Sequence, residues 1–180
     1  MAERDVPLRI EEMLRVDHAG EYGAVAIYRG QRAVYERLSH KARMTGLLRE
    51  MEEGEQHHLA TFDRLLTENR VRPTVLGPLW QAAGWGLGAA TALMGEKAAM
   101  ACTSAVESVI EGHYKEQADE LDRTASQPEL SATFRQFRED ELGHHDTAIS
   151  EGAEDAPGYK LMARVIRAGC RAAIRVSQKV

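Results

Sequence analysis

Two copies of one ligand pattern, set 86 residues apart, limit what this chain can fold into. The first copy is Glu21 followed by Glu55 and His58; the second is Glu107 followed by Glu141 and His144. In both copies the lone Glu precedes the Glu-x-x-His by 34 residues. Glu and His three positions apart share one face of a helix. Four Glu and two His, drawn in this way from four helices, are what a bundle needs to hold two metal ions. One Glu-x-x-His arises by chance in a chain rich in Glu. Two at the same register, each 34 residues after a core Glu, do not.

The ligand candidates lie inside apolar stripes of 3-4 period. The first predicted helix, about Pro7 to Ser39, carries Ile10, Leu14, Asp17, Glu21, Ala24, Tyr28, Gln31, Tyr35 and Leu38. The second, about Lys41 to Asn69, carries Met44, Leu48, Met51, Glu55, His58, Phe62 and Leu65. A third, ending near Leu121, carries Met100, Thr103, Glu107, Ile110, Tyr114, Gln117 and Leu121. A fourth, Pro128 to Glu151, carries Leu130, Phe134, Phe137, Glu141, His144 and Ala148. Pro157-Gly158 then breaks the chain before a last helix to about Ser177. Charged groups at such core positions cost several kcal/mol unless paired or metal-bound, and the stripes offer no Lys or Arg.

The 86-residue offset also takes Leu14 to Met100, Tyr28 to Tyr114, Gln31 to Gln117 and Leu48 to Phe134. The halves therefore read as duplicated helical hairpins. With a turn near His40, Glu21 and Glu55 differ in height by only roughly 6 Å at 1.5 Å rise per residue. The same arithmetic holds in the second half, so all six groups are expected at one level. The expected fold is all-α: a single ferritin-like four-helix bundle over 1–180, with hairpins at 7–69 and 96–151, a hydrophobic crossover at 70–95 and a C-terminal basic amphipathic helix at 156–180.

Composition agrees with a globular helical chain and excludes several classes. Of 180 residues, 43% are hydrophobic, 28% are charged and only five are proline. Cys102 and Cys170 form no C-x-x-C, which argues against a disulfide framework or a Cys-based zinc site. The N-terminal run Met1-Ala2-Glu3-Arg4-Asp5 reads as neither signal nor transit peptide, so a cytoplasmic-side bacterial protein or a trimmed organellar one is expected. Residues 160–180 hold six cations and no acid, which leaves 1–159 at −11 of the total −5. Nucleic acid is a poor partner for so acidic a body.

Other residues near the stripes carry weaker signals. Asp17 stands one turn before Glu21 and is placed to orient a ligand. Tyr28 and Tyr114 lie two turns beyond the lone Glu residues, and His113 adjoins Tyr114. The tyrosines read first as core, and His113 as a surface group or a relay. His57 and His145 fall one residue off the stripe and read as non-ligands; Asp140 and Asp146 read as supporting or exposed acids. The run Glu50, Glu52, Glu53 reads as a solvated face.

Several of these segments resemble the demethoxyubiquinone hydroxylase family of ubiquinone biosynthesis. They are Arg15-Val-Asp-His-Ala-Gly-Glu21-Tyr-Gly-Ala, Ala101-Cys-Thr-Ser-Ala-Val-Glu107, His113-Tyr114, Glu141-Leu-Gly-His144-His145-Asp146 and Arg167-Ala-Gly-Cys170-Arg171-Ala-Ala-Ile. The resemblance spans nearly the whole chain. It implies a carboxylate-bridged di-iron (Fe2+) monooxygenase that uses O2 to hydroxylate the ring of a polyprenyl demethoxyquinol. Glu21, Glu55 and His58 would bind one iron, and Glu107, Glu141 and His144 the other, with Glu55 and Glu141 bridging. His113 and Tyr114 become catalytic candidates. NADH is implied as reductant and a lipid-binding accessory protein as partner; a homo-oligomer stays open.

A lipid substrate also fits the residues themselves. Pro73 to Gly95 runs 23 residues without a charge and holds Trp80, Trp85 and glycines 77, 84, 86, 88 and 95. The length suits a membrane span. Pro78 and the glycines argue against one, and favour a membrane-surface or substrate-entrance segment over a buried connection. Arg164, Arg167, Arg171 and Arg175 form a stripe that anionic lipid headgroups would attract. Peripheral attachment to the cytoplasmic face of the inner membrane, or to the matrix side in an organelle, is the expected location. The competing readings are a ferritin-like ferroxidase, a rubrerythrin-type peroxidase, a manganese-catalase-type protein, and a structural bundle with a vestigial site.

Overall fold

A computed structural model describes residues 7–179; the run Met1–Asp5 and the terminal Val180 of the expected last segment lie outside the described residues. Among these residues all regular structure is helical, as expected. The helices are α1 (Leu8–Tyr35), α2 (Ala42–Glu68), α3 (Gly77–Leu93), α4 (Glu96–Arg123), α5 (Pro128–Ser150) and α6 (Tyr159–Ser177), with 3-10 turns at Ser39–Lys41 and Ala153–Asp155. Packing divides the chain into two units: residues up to 93 together with those from 172, and residues 94–171. Each unit contains one copy of the repeat.

In the first unit α1 and α2 form an antiparallel hairpin. Arg29 Nε and Arg32 Nε donate to Glu52 at 2.9 and 2.8 Å, and His18 Nε2 meets Asp63 Oδ1 at 3.0 Å further along both helices. Partners advance on α2 as they recede on α1, which is the antiparallel order. The α1 stripe from Ile10 to Tyr35 is buried throughout, whereas Leu38 lies past the helix end and is 39% exposed. Glu50 and Glu53 are exposed as expected, but Glu52 is not part of a solvated face. It is 3% exposed and neutralised by two guanidinium groups from the facing helix.

The crossover, to which the sequence pattern assigns no secondary structure, holds a helix. Glycines and Pro78 argue against helix on intrinsic propensity, yet residues 77–93 form a helix of 17 residues. The glycines are used for close packing. A Cβ on Gly84 would stand 2.6 Å from the Gly23 carbonyl oxygen, and one on Gly88 would run into the Ile27 carbonyl. Reciprocally, a Cβ on Gly30 would run into the Trp85 carbonyl. The backbones of α1 and α3 therefore touch, and Tyr35 Oη donates to Ala92 O at 3.0 Å at the far end. Trp80 Nε1 donates to Ser177 Oγ at 2.9 Å. The outer side of α3 leaves Leu79, Trp85 and Leu93 at 54%, 48% and 77% exposure. No helix among the described residues is long and apolar enough to cross a membrane.

In the second unit α4 and α5 form the matching antiparallel hairpin. Pro128 sits at the first turn of α5, where its missing N–H costs nothing. Tyr114 stacks on Phe134 with ring centroids 5.8 Å apart and meets Phe137 edge-on at 6.1 Å. At the turn, Ser131 Oγ donates to Asp122 at 2.6 Å and Arg135 pairs with the same carboxylate. The Ser131 hydrogen bond, then the Arg135 guanidinium, hold the Asp122 carboxyl below its usual range. The start of α6 joins this unit through Arg167 Nε, which donates to Ser108 Oγ at 3.0 Å.

The α1–α3 contact makes a direct prediction. Gly88→Ala should lower unfolding free energy by about 2 kcal/mol or more, because backbone must move to admit the methyl group. Gly86→Ala, which meets nothing within 4 Å, should be neutral or stabilising. Thermal melts of both variants check this.

Candidate metal centre

Each hairpin brings its own three ligand candidates together. In the first unit Glu21 comes from α1, and Glu55 and His58 from successive turns of α2. His58 Nδ1 lies 3.6 Å from Glu21 Oε2 and 3.7 Å from Glu55 Oε2. In the second unit Glu107 comes from α4, and Glu141 and His144 from α5; His144 Nδ1 lies 3.4 Å from Glu141 Oε2. Within each triad one ligand atom per residue lies within 4.8 Å of the others. The 3.6 and 3.7 Å separations are too long for hydrogen bonds. They suit donors spaced around a common ion at about 2.0–2.2 Å from each.

Burial sharpens the point. Glu21, Glu55, His58, Glu107 and Glu141 are each at most 1% exposed. Only the His144 side chain, at 17%, retains some access to water. Two carboxylates enclosed by apolar side chains repel each other unless a cation joins them. The residues therefore fit a metal ion in each triad. An oxygen-rich, nitrogen-poor donor set favours iron or manganese over zinc or copper.

The weaker candidates sort as follows. Asp17 is 4% exposed and stands one turn from Glu21 on the buried face of α1. Tyr28 and Tyr114 are both 1% exposed, so both fill core, and His113 beside Tyr114 is half-buried. His57 is exposed, and His145 turns to Asp146 at 3.2 Å; neither joins a triad. Asp140 is engaged by Gln136 at 3.1 Å. The Cys170 thiol is pushed up to about 11, first by burial and then by the Glu107 charge, so it is protonated at neutral pH. Sequence reasoning did not single out the His18–Asp63 pair, which joins positions 45 residues apart. No local spacing announces such a pair.

The description "Ubiquinone biosynthesis protein COQ7" belongs to a family model that matches residues 8–177. The chain belongs to that family. Among its relatives within the family is the 3-demethoxyubiquinol 3-hydroxylase of Rhodospirillum rubrum, 51% identical over 171 residues, covering 95% of this chain and 78% of the relative. The NADPH-dependent 3-demethoxyubiquinone 3-hydroxylase of Mus musculus is 48% identical over 172 residues, covering 94% and 77%. The 5-demethoxyubiquinone hydroxylase of Saccharomyces cerevisiae is 40% identical over 185 residues, covering 95% and 78%. Family membership agrees with the all-α, ferritin-like expectation and with the resemblance read from the motifs.

If the triads are metal sites, ferrous iron should raise the melting temperature. At a hundredfold excess over Kd the gain is about 2.7 kcal/mol. Glu107→Ala and His58→Ala should each reduce the gain and the bound metal, as read by anaerobic thermal scans and elemental analysis.

Proposed function

We propose that this chain is a di-iron hydroxylase that adds one oxygen to the ring of a polyprenyl demethoxyubiquinol in ubiquinone biosynthesis, acting as one ferritin-like domain. The single observation that carries the reading is the pair of buried Glu-Glu-His triads in a chain of this family. Glu21, Glu55 and His58 would hold one iron, and Glu107, Glu141 and His144 the other. A ferrous pair held there would supply a site for O2 and relay to it the electrons that the reductant provides. One oxygen atom replaces a ring hydrogen as hydroxyl and the other leaves as water, and the whole reaction takes up two electrons and two protons. A reduced nicotinamide nucleotide supplies them. The sequence resemblance implies NADH, while the name of the mouse relative specifies NADPH.

The protein's own residues perform definable tasks. The carboxylates would neutralise the ions and leave positions open for oxygen. Phe134 and Phe137, packed on Tyr114, exclude water from the core beside the second triad. Tyr114 and His113 are the groups we assign to proton or electron movement. A lipid substrate implies peripheral membrane contact. The exposed apolar side of α3 supports it, and so does α6, where Lys160, Arg164 and Arg171 line a groove of about 360 Å3. A lipid-binding accessory protein is the partner such a substrate requires. Ferroxidase, peroxidase and catalase readings share the ligand set, but the named relatives are hydroxylases.

The test is anaerobic iron loading followed by reductant, O2 and a short-chain demethoxyquinol, with mass spectrometry of the product. Wild type should add one oxygen atom, and Glu107→Ala should lose at least a hundredfold in rate. No oxygen gain by wild type, or equal turnover in the variant, sinks the proposal.

A further inference from the structure

The part of α6 that belongs to the second unit carries a groove of about 360 Å3, lined by Tyr159, Lys160, Ala163, Arg164, Arg167 and Arg171. Four of these residues are cations and none is an acid. Among the described residues no carboxylate pairs with Lys160, Arg164 or Arg171. Elsewhere on the same unit exposed lysines do find acids: Lys97 meets Asp155 at 2.9 Å and Lys115 meets Asp119 at 2.6 Å. Like charges gathered in one concave place, with no counter-charge from the chain, attract an anion.

One of the four cations is held in place. Arg167 Nε donates to Ser108 Oγ at 3.0 Å, and Ser108 Oγ donates to Ala105 O at 2.9 Å. With Nε so used, the terminal guanidinium nitrogens keep the fork of N–H donors that matches phosphate oxygens. Spacing then divides the cations into two pairs. Lys160 and Arg164, like Arg167 and Arg171, stand four residues apart and are neighbours on one face. The midpoints of the pairs are roughly 10 Å apart along the axis. The two phosphorus atoms of a diphosphate share one oxygen and are too close to use both pairs. A headgroup with two phosphodiesters on a three-carbon linker holds them further apart, within reach of both pairs through the long Lys and Arg side chains. Leu161 and Val165 each follow a groove cation and are 67% and 61% exposed. The cations therefore border an uncovered apolar ridge on which acyl chains can lie.

We propose that this groove binds the headgroup of a diphosphatidylglycerol-type lipid, with one phosphate on Lys160 and Arg164 and the other on Arg167 and Arg171. The inference rests on the membrane contact of the proposed function and names the lipid and the residues that read it. Diffuse attraction of a basic helix responds only to surface charge. A site with two phosphate seats also responds to how the charges are joined. Because Arg167 is anchored on Ser108, next in sequence to Glu107, the seated lipid lies against the helix that carries a ligand of the second triad.

The experiment is co-sedimentation of the full chain with phosphatidylcholine vesicles that contain either phosphatidylglycerol or half as much diphosphatidylglycerol, so that surface charge is equal. Wild type should bind the second kind about fivefold more tightly, the effect of one further cation–phosphate contact. Arg164 and Arg171 are exposed, so Arg164→Gln and Arg171→Gln should fold. Each removes one member of a pair and should bring the preference close to unity. Arg175→Gln removes the same charge from α6 outside the groove; it should weaken binding to both vesicles alike and leave the preference in place. Equal binding of wild type to the charge-matched vesicles overturns the inference. So does a preference that survives both groove substitutions, or one that falls as far in Arg175→Gln. NADPH in millimolar excess should not displace the chain from diphosphatidylglycerol vesicles; displacement assigns the groove to the nucleotide phosphates and overturns the lipid site. Hydroxylation of the short-chain quinol, which needs no membrane, separates the two proposals. If the vesicle preference is absent and the quinol gains oxygen, the lipid site fails and the hydroxylase reading stands. If the preference is present and no oxygen is added, the hydroxylase reading fails and the lipid site stands.

Discussion

Everything in this structure turns on the placement of carboxylates where side chains should be apolar. In each hairpin a Glu from one helix and a Glu-x-x-His from the other replace the leucine-like residues that continue above and below them. Such positions are unfavourable for negative charge unless a cation compensates. The surrounding packing, with Phe62 on α2 and Phe134 and Phe137 on α5, keeps water away and so strengthens whatever electrostatic interaction the carboxylates make. A cation bound at these groups would couple stability to metal binding in both halves of the chain.

How much of this is legible in the amino-acid order depends on how local the determining interaction is. The stripes in α1, α2, α4 and α5 follow from a period that burial enforces on each helix separately. Within these helices the stripe residues are accordingly buried, with Leu65, Ile110 and His144 as partly exposed exceptions, although α1 and α4 bury further residues beside their stripes. The breaks at Pro128 and at Pro157-Gly158 are equally local. Glu52 is different. It stands beside Met51, off the stripe, and only the arrival of Arg29 and Arg32 from another helix makes its burial favourable. The His18–Asp63 pair belongs to the same class.

The helix at 77–93 was illegible for a related reason. Its glycines lower helix propensity when the segment is considered alone. Against α1 the same residues allow two backbones to touch, and the packing gained outweighs the propensity lost. An uncharged run therefore codes neither for a span nor for a loose connection, but for a helix laid on a neighbour.

That contact has a mechanical consequence. Where carbonyls of one helix fill the spaces that side chains would take on the other, neither helix slides or rotates without the other. Helix α3 carries Trp85 and Leu79 on its outer side, and α1 carries Glu21 and His18 on its inner side. The pair behaves as one lever with an apolar handle and a chemical tip. A contact made on the outer side of α3 is therefore felt at the first carboxylate on α1.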